Sequence, residues 1–239
     1  MSMRFHSAST THVGLKRKIN EDNLLDRSEH SLWVVADGMG GHEAGEVASA
    51  KLVEALANLP ADGSPETAAK EAERLVQGVN RDLLELAQGS LTPRTIGSTV
   101  VVLAIRAGEY RCLWAGDSRC YLVRDRQITQ LTHDHSLVDD LVRSGMIKPE
   151  EAAHHPDANV ITRAVGATRE LRVDCVAGEV RAGDHFLLAS DGVTRVIENA
   201  ELGELVISRN PVQAVEEIQS IVLSRGAPDN LTCIIVRVL

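Results

Sequence analysis

Two apolar segments in distant parts of the chain each end abruptly at an Asp-Gly pair. The first is "LWVVADGMGGHEAGE", residues 32–46, and the second is "HFLLASDGVT", residues 185–194. Asp-Gly is a favoured turn pair, so each segment alone predicts a buried strand that reaches the surface and turns. The segments after the two pairs differ, so they are not an internal repeat. Any fold of this chain must therefore end two strands beside two carboxylates, Asp37 and Asp191.

Other acids occupy the same kind of position, at the end of a strand and beside turn residues. Asp117 follows "YRCLWAG", and Asp229, in "GAPDN", directly precedes the last apolar run. Glu21 and Asp22, in "KRKINEDNLL", precede another short apolar run. A single acid of this kind is most often a turn residue. Their joint occurrence predicts that carboxylates from the whole length of the chain meet at one place.

Carboxylates crowded together repel one another, and bound divalent cations can compensate that charge. These acids offer only oxygen ligands, so the predicted ions are hard, Mg²⁺ or Mn²⁺. Gly38 would let its backbone carbonyl approach an ion where a side chain would obstruct it. Two ions about 3.5–4 Å apart can share a water, lower its pKa and hold it in line with a phosphorus atom. The predicted chemistry is metal-assisted hydrolysis of a phosphate ester.

One arginine could hold the substrate of such a site. Arg17 stands four positions before Glu21, and its planar guanidinium suits bidentate contact with a phosphoryl group. Within the run Lys16-Arg17-Lys18, a solvated surface arginine is the more common interpretation, and the pattern alone favours it.

Size, composition and charge exclude several classes of function. The 239 residues are 44% hydrophobic, which allows one domain over 1–239 with a core of its own. A net charge of -9 and the absence of any cluster of five Lys and Arg argue against a nucleic-acid partner. We expect no signal peptide, no membrane span and a cytoplasmic location. Four cysteines without C-x-x-C spacing are expected to be reduced: Cys112, Cys120, Cys175 and Cys233.

The order of periodic segments predicts an α+β fold. The predicted elements are helices near 43–57 and 64–87, an antiparallel meander from about 98 to 131, a polar and partly helical segment over 136–160, strands near 171–180 and 184–190, helices near 199–208 and 211–224, and a last strand over 231–239. The predicted architecture is a central sandwich of two antiparallel β-sheets, with helices outside.

Eight short motifs, in order along the chain, resemble those of one family. They are "GLKRKINEDNLL", "VVADGMGGHEAGE", "GSTVVV", "AGDSRCYL", "LTHDHS", "ITRAVG", "LLASDGVT" and "APDNLTCIIV". Each motif is weak alone, but together the chain resembles the metal-dependent serine/threonine protein phosphatases of the PPM family (type 2C), in their short bacterial form. The resemblance implies α-β-β-α layers, and hydrolysis of phosphoserine and phosphothreonine by direct attack of a metal-bridging hydroxide.

The resemblance also implies a role for each acid at a centre of two Mn²⁺ or Mg²⁺ ions. Asp37 would bridge the two ions. The Gly38 carbonyl and, through water, Glu21 would be further ligands of one ion. Asp191 and Asp229 would hold the other.

Further residues acquire roles by the same resemblance. Asp117, together with Asp191, would offer a third and weaker ion site. Arg17 falls where the family grips phosphate, which reverses the interpretation from its local pattern. Asp22 would orient ligands or waters from behind the metal ligands, and Asn230 would fix the turn beside Asp229.

Two positions depart from the family pattern. Met39 stands where some members carry a histidine that is a candidate general acid; His42 is close in sequence, but the role stays unassigned. His12 replaces an Asp common in bacterial members, which questions only the local support of the first loop. The pairs in "HDH", 133–135, and in 154–155 lack the spacing of a helical zinc site, so hydrogen-bonded or solvated histidines are the preferred interpretation. Segment 136–160 matches the family's flap, a place for substrate choice.

Two alternatives stay open. One is a catalytically silent relative that binds phosphoproteins without hydrolysing them, although this chain retains every expected acid. The other is a metal-dependent phosphodiesterase or nuclease, against which the acidic charge argues. The expected partners of the preferred hypothesis are phosphorylated protein substrates and an opposing Ser/Thr kinase, and we expect a monomer.

Overall fold

The computed structural model describes residues 3–40, 44–89, 95–152 and 155–239, which form eleven strands and seven α-helices. The strands are β1 (Phe5–His12), β2 (Asp22–Arg27), β3 (Leu32–Met39), β4 (Gly97–Ser98), β5 (Val100–Arg106), β6 (Glu109–Ala115), β7 (Arg119–Arg124), β8 (Gln127–Gln130), β9 (Asp174–Glu179), β10 (His185–Ala189) and β11 (Leu231–Val238). The helices are α1 (Ala44–Leu56), α2 (Pro65–Gln88), α3 (Leu137–Arg143), α4 (Pro149–Ala152), α5 (Asp191–Thr194), α6 (Asn199–Ser208) and α7 (Pro211–Ser224).

The strands form two antiparallel sheets that pack face to face. One sheet has the order β1-β11-β10-β7-β8, and the other has the order β2-β3-β5-β6-β9, with β4 paired to β3. Trp33 and Leu103 from the second sheet share a buried cluster with Phe186 and Ile234 from the first. This arrangement confirms the predicted α+β sandwich of two antiparallel sheets.

Helices cover the outer face of each sheet. Leu52 of α1 and Val76 of α2 belong to one buried cluster with Val102 of the second sheet. On the opposite side, Leu202 of α6 and Ile218 of α7 belong to another cluster with strands of the first sheet. Each fully buried side chain of this size contributes roughly 1.5–3 kcal/mol, so these three apolar layers dominate the stability of the domain.

Local signals explain where α2 begins and which face it buries. The Ser64 hydroxyl accepts a hydrogen bond from the Thr67 backbone N at 3.1 Å, and Pro65 occupies the first turn, where its missing N–H costs nothing. The buried face follows a spacing of three or four residues. Val76 lies on this buried face, whereas Leu86 near the end of the helix is 44% exposed.

The predicted meander over 98–131 is wrong in one respect. β5 pairs with β6, and β7 pairs with β8, but β6 and β7 belong to different sheets. The chain crosses between the sheets at 116–118. Gly116 has φ +122, and a Cβ there would lie 2.5 Å from the Thr99 Cβ, so the crossover requires glycine. This crossing carries Asp117 to the end of the sandwich.

The described residues of segment 136–160 include two short helices, and the two ends of the segment meet. The Ser136 hydroxyl caps α3 by accepting from the Asp139 backbone N, and the Leu137 backbone N donates to the Val160 carbonyl at 2.9 Å. We call this segment the flap. None of the helices in the described part of the chain is long and apolar enough to cross a membrane. All four cysteines are free, and Cys175 is exposed, unlike the other three.

Candidate active site

The ends of several strands bring the predicted acids to one end of the sandwich. Asp22 and Asp37 are direct cross-strand partners of β2 and β3. Asp191 follows β10 and Asp229 precedes β11, and these two strands are neighbours. Burial, and then the negative charges of Asp22, Asp191, Asp117 and Asp229, raise the pKa of the Asp37 carboxyl, which shows that these acids lie near one another. The structure therefore brings together acids from both sheets and from both ends of the chain.

Burial and mutual repulsion disfavour the charged forms of the acids in this cluster, which lacks enough positive charge to compensate them. Burial, followed by the charge of Asp191, raises the pKa of Asp117 to about 7. Burial also raises the pKa of Asp22 to about 7 and that of Asp37 well above its usual range. One oxygen of Asp22 and one of Asp117, both Oδ1, are buried and accept no hydrogen bond among the described residues. Oxygen-only donors with unsatisfied charge fit a hard divalent cation.

Glu21 and Gly38 lie together beside this cluster. The Gly38 backbone N donates to the Glu21 carbonyl at 3.1 Å, and the Gly45 backbone N donates to Glu21 Oε1 at 3.2 Å. The Glu21 carboxylate thus lies at the N-terminus of α1, where the exposed N–H groups favour negative charge. A Cβ on Gly38 would collide with the Gly45 backbone carbonyl. Close approach of β3 and α1 therefore requires glycine at position 38.

Arg17 reaches the cluster through Asp229. Its Nη2 donates to Asp229 Oδ2 at 2.7 Å, and this hydrogen bond is the main cause that raises the pKa of the arginine. The Arg17 side chain is 53% exposed. The guanidinium therefore lies at the mouth of the acid cluster, with part of its donor surface facing solvent.

Asn230 joins the first loop to the last strand. Its Oδ1 accepts from the Glu21 backbone N at 2.9 Å, and its Nδ2 donates to the carbonyls of Val13 and Ile19. Its backbone N donates to Asp229 Oδ1. His12 supports the same loop, because its Nδ1 accepts from the Gly14 backbone N at 2.9 Å.

Sequence reasoning missed two hydroxyl side chains that hold the acids in place. Thr99 Oγ1 accepts from the Asp37 backbone N at 3.1 Å. Ser190 Oγ donates to Asp22 Oδ2 at 2.8 Å and accepts from the Thr232 backbone N. Ser190 directly precedes Asp191, and Thr99 lies within "GSTVVV", so both stood inside the motifs without a distinguishing signal of their own.

Sequence reasoning also missed Arg195. Its Nη2 lies 3.0 Å from Asp117 Oδ2 and 3.1 Å from Asp191 Oδ2. The signal that could have found it is its spacing, because an arginine four residues after Asp191 on a helical turn faces that acid.

His133, His135 and Asp174 form a second group of possible metal ligands. The Gly116 backbone N donates to His135 Nδ1 at 3.1 Å, and His135 Nε2 lies 3.2 Å from Asp174 Oδ2. Arg163 Nη1 lies 2.9 Å from the same Nε2 and occupies the space an ion would need. The geometry favours hydrogen-bonded histidines over a zinc site, as the sequence predicts.

Met39 pairs with Gly97 in the β3–β4 bridge. His42 lies outside the described residues, and so does His154.

Comparison with known families identifies this arrangement. The model of the protein phosphatase 2C family matches residues 15–235. The chain belongs to this family. The motif-based prediction of a PPM family member is thereby confirmed, and with it the enzyme class, a metal-dependent serine/threonine phosphoprotein phosphatase. The family match favours this class over a silent relative and over a phosphodiesterase.

Relatives of this phosphatase cover almost the whole chain. The serine/threonine phosphatase stp of Listeria innocua is 33% identical over 97% of this chain and 95% of its own. The protein phosphatase PhpP of Streptococcus pneumoniae is 35% identical over 95% of this chain and 94% of its own.

Two solved structures share the fold. PppA, a key regulatory component of T6SS in Pseudomonas aeruginosa, has a TM-score of 0.89 and 39% identity over 99% of this chain and 98% of its own. The catalytic domain of the phosphatase PstP, solved in complex with two manganese ions, has a TM-score of 0.90 and 31% identity over 100% of both chains.

Proposed function

We propose that this phosphatase hydrolyses phosphoserine and phosphothreonine in proteins at the acid cluster, and that the cluster holds two Mn²⁺ or Mg²⁺ ions. One observation carries the proposal. Acidic side chains from both sheets converge with buried, unpartnered oxygens, at a place where an arginine is half-exposed. Such a cluster has too little positive charge until cations enter it, and the bound cations then attract a phosphoryl group.

The ligands we assign are Asp37 between the two ions, Gly38 and Glu21 on one side, and Asp191 and Asp229 on the other. When bound, such ions lower the pKa of a water and neutralise phosphoryl charge. The Asp22 carboxylate, which accepts from Ser190 behind the cluster, keeps Asp37 and its neighbours in position. Asn230 fixes the backbone of both Glu21 and Asp229.

We assign Arg17 to substrate binding. Its guanidinium is anchored to Asp229 through one nitrogen, which leaves N–H donors that face solvent available to a phosphoryl oxygen. The anchoring orients the fork before the substrate arrives and so reduces the entropy lost on binding.

The hydroxyl groups beside the cluster argue for direct attack by water. Thr99, Ser118 and Ser190 are buried, with 1%, 1% and 0% of their surface exposed. Thr99 and Ser118 hydrogen-bond to each other, and Ser190 is bonded to Asp22. Because all three hydroxyl groups are buried and engaged in these hydrogen bonds, none of them is accessible to attack a substrate, which supports hydrolysis without a covalent intermediate.

We further propose that residues 1–239 act as one catalytic domain in the cytoplasm, as a monomer that opposes a Ser/Thr kinase. Four free cysteines fit a reducing compartment. The net charge of -9 fits a protein substrate better than a nucleic acid.

Comparing three substrates in Mn²⁺ buffer tests the proposed reaction: a phosphoserine peptide, a phosphothreonine peptide and a phosphodiester. We expect turnover of both peptides, little turnover of the diester, and complete loss of activity in excess EDTA. Calorimetric titration with Mn²⁺ should show two strong sites. Full activity in EDTA, or no Mn²⁺ binding at all, would refute the mechanism.

A further inference from the structure

The guanidinium of Arg195 lies between two of the acids that could hold a cation. Its Nη2 is 3.0 Å from Asp117 Oδ2 and 3.1 Å from Asp191 Oδ2. Asp117 is 3% exposed, and no other cationic side chain forms an ion pair with either acid within the part of the chain that the structure describes. The protein therefore supplies a tethered cation of its own at this position.

The same guanidinium also contacts the flap. Arg195 Nη1 donates to the side-chain oxygen of Asn159, which lies near the end of the flap. Arg195 directly follows α5, whose first residue is Asp191. One side chain thus joins three parts of the molecule: the sheet crossover at Asp117, the start of α5 and the flap.

There is room for the guanidinium to move. A cavity of about 360 Å³ lies between the flap and the sandwich, and Asp117, Asn159, Arg195 and Glu198 line it. The Arg195 side chain is 36% exposed. Rotation about its side-chain bonds could therefore carry the positive charge away from Asp117 and Asp191 without a change in the backbone.

We propose that Arg195 competes with a divalent cation at the Asp117–Asp191 pair. When Arg195 occupies the pair, its contact with Asn159 holds the flap against the domain, and when the cation occupies the pair, this contact is released. The inference rests on the proposed function, which assigns ions to this end of the sandwich. Two cations cannot share the same pair of carboxylates at close range, because their mutual repulsion is strong in a partly buried site. Since the coupling is reciprocal, release of the flap favours ion binding and ion binding favours release.

Calorimetric titration of the whole protein with Mn²⁺ tests the competition. In Arg195→Gln, we expect a binding event beyond the two strong ones to appear or to tighten by at least about tenfold, because a nearby positive charge is removed. Asn159→Ala leaves the charge and removes only the flap contact, so it should shift the same event in the same direction by less. Arg74→Gln removes an arginine from the surface ion pair with Glu71 and is the matched control, with no expected change.

An unchanged Mn²⁺ isotherm in a folded Arg195→Gln would overturn this inference, while two strong sites in the same isotherm would leave the proposed function intact. If the unsubstituted protein shows no strong Mn²⁺ binding, this result would instead refute the proposed function.

Limited trypsin digestion of the unsubstituted protein keeps the test decisive if the variant does not fold. Cleavage in the flap after Arg143, which is exposed and followed by Ser144, should accelerate over the Mn²⁺ range of the weak binding event. A cleavage rate that does not change with Mn²⁺ would contradict the proposed release of the flap.

Discussion

Asn230 and Glu21 lie 209 positions apart in the chain, yet the Asn230 side-chain oxygen accepts a hydrogen bond from the Glu21 backbone N at 2.9 Å. The Asn230 amide nitrogen also donates to the carbonyls of Val13 and Ile19. The loop that carries Arg17 and Glu21 is thus fixed to the turn that carries Asp229. A single amide therefore aligns residues proposed to bind phosphate and metal.

Asn230→Ala should destabilise the fold and weaken metal binding together. The variant loses three hydrogen bonds at a residue that is 6% exposed, and backbone groups of the first loop lose their partners, so we expect the free energy of unfolding to fall by about 2–4 kcal/mol. Urea denaturation measures this loss, and Mn²⁺ titration should show weaker binding. Asn58→Ala, which removes one exposed hydrogen bond to Glu54, is the control. Unchanged Mn²⁺ affinity in Asn230→Ala would contradict the aligning role.

Asp37→Asn should separate catalysis from folding. We expect turnover to fall at least about a thousandfold, because Asp37 is the proposed ligand of both ions, and such a ligand would support several kcal/mol of transition-state stabilisation. In excess EDTA, however, the variant should unfold at a higher temperature than the unsubstituted protein, because one of the mutually repelling carboxyl groups is gone. Differential scanning calorimetry measures this shift. Asp82→Asn, at an exposed position of α2, should change neither property, and a lower unfolding temperature for Asp37→Asn would argue against crowded charge.

Arg17→Ala should act mainly on substrate binding. Loss of a charged hydrogen-bond donor to the phosphoryl group predicts a KM higher by about ten- to a hundredfold, with a smaller change in kcat. Steady-state kinetics on a phosphothreonine peptide measures both. Arg74→Ala is the surface control. A fall in kcat with an unchanged KM would instead indicate that Arg17 acts only through Asp229.

The sequence predicts the architecture well wherever the signal is local. Helix α2 was predicted over 64–87 and lies at Pro65–Gln88, because a serine cap, a proline and a regular apolar spacing all mark it. The two sheets were predicted from β-branched runs, but the assignment of β6 and β7 to different sheets was not. That crossing depends on the close fit of Gly116 against Thr99, a contact between residues that no local pattern connects.

Prediction of the candidate site from the sequence is limited in the same way, to residues that a local pattern marks. The acids at strand ends were found because a strand end followed by a turn is visible in the sequence, and the motifs supplied their order. Arg195 was missed because its partner Asp117 lies 78 positions away, and only the folded chain brings the two together. Likewise, no local pattern distinguishes Ser190 from other serines, because only the folded chain brings its hydroxyl to the Asp22 carboxylate.

His135 gives the chain a stability that depends on pH. Burial, and then the charge of Arg163, lowers the pKa of His135 to about 4 from 6.5. Between these two values the unfolded chain binds a proton that the folded chain does not, so the free energy of unfolding falls as the pH drops from 6.5 to 4. The loss from this residue is about 3 kcal/mol in total, and it ends below pH 4.

His135→Asn removes this titration and keeps a polar side chain, so the variant should lose less stability over the same pH range. Urea denaturation between pH 4 and 7 measures the difference in slope between the two proteins, and the contribution of the acid cluster cancels because both proteins share it. His6→Asn, at an exposed position of β1, is the control and should follow the unsubstituted protein. Parallel curves for His135→Asn and the unsubstituted protein would mean that the buried imidazole is not the group that titrates.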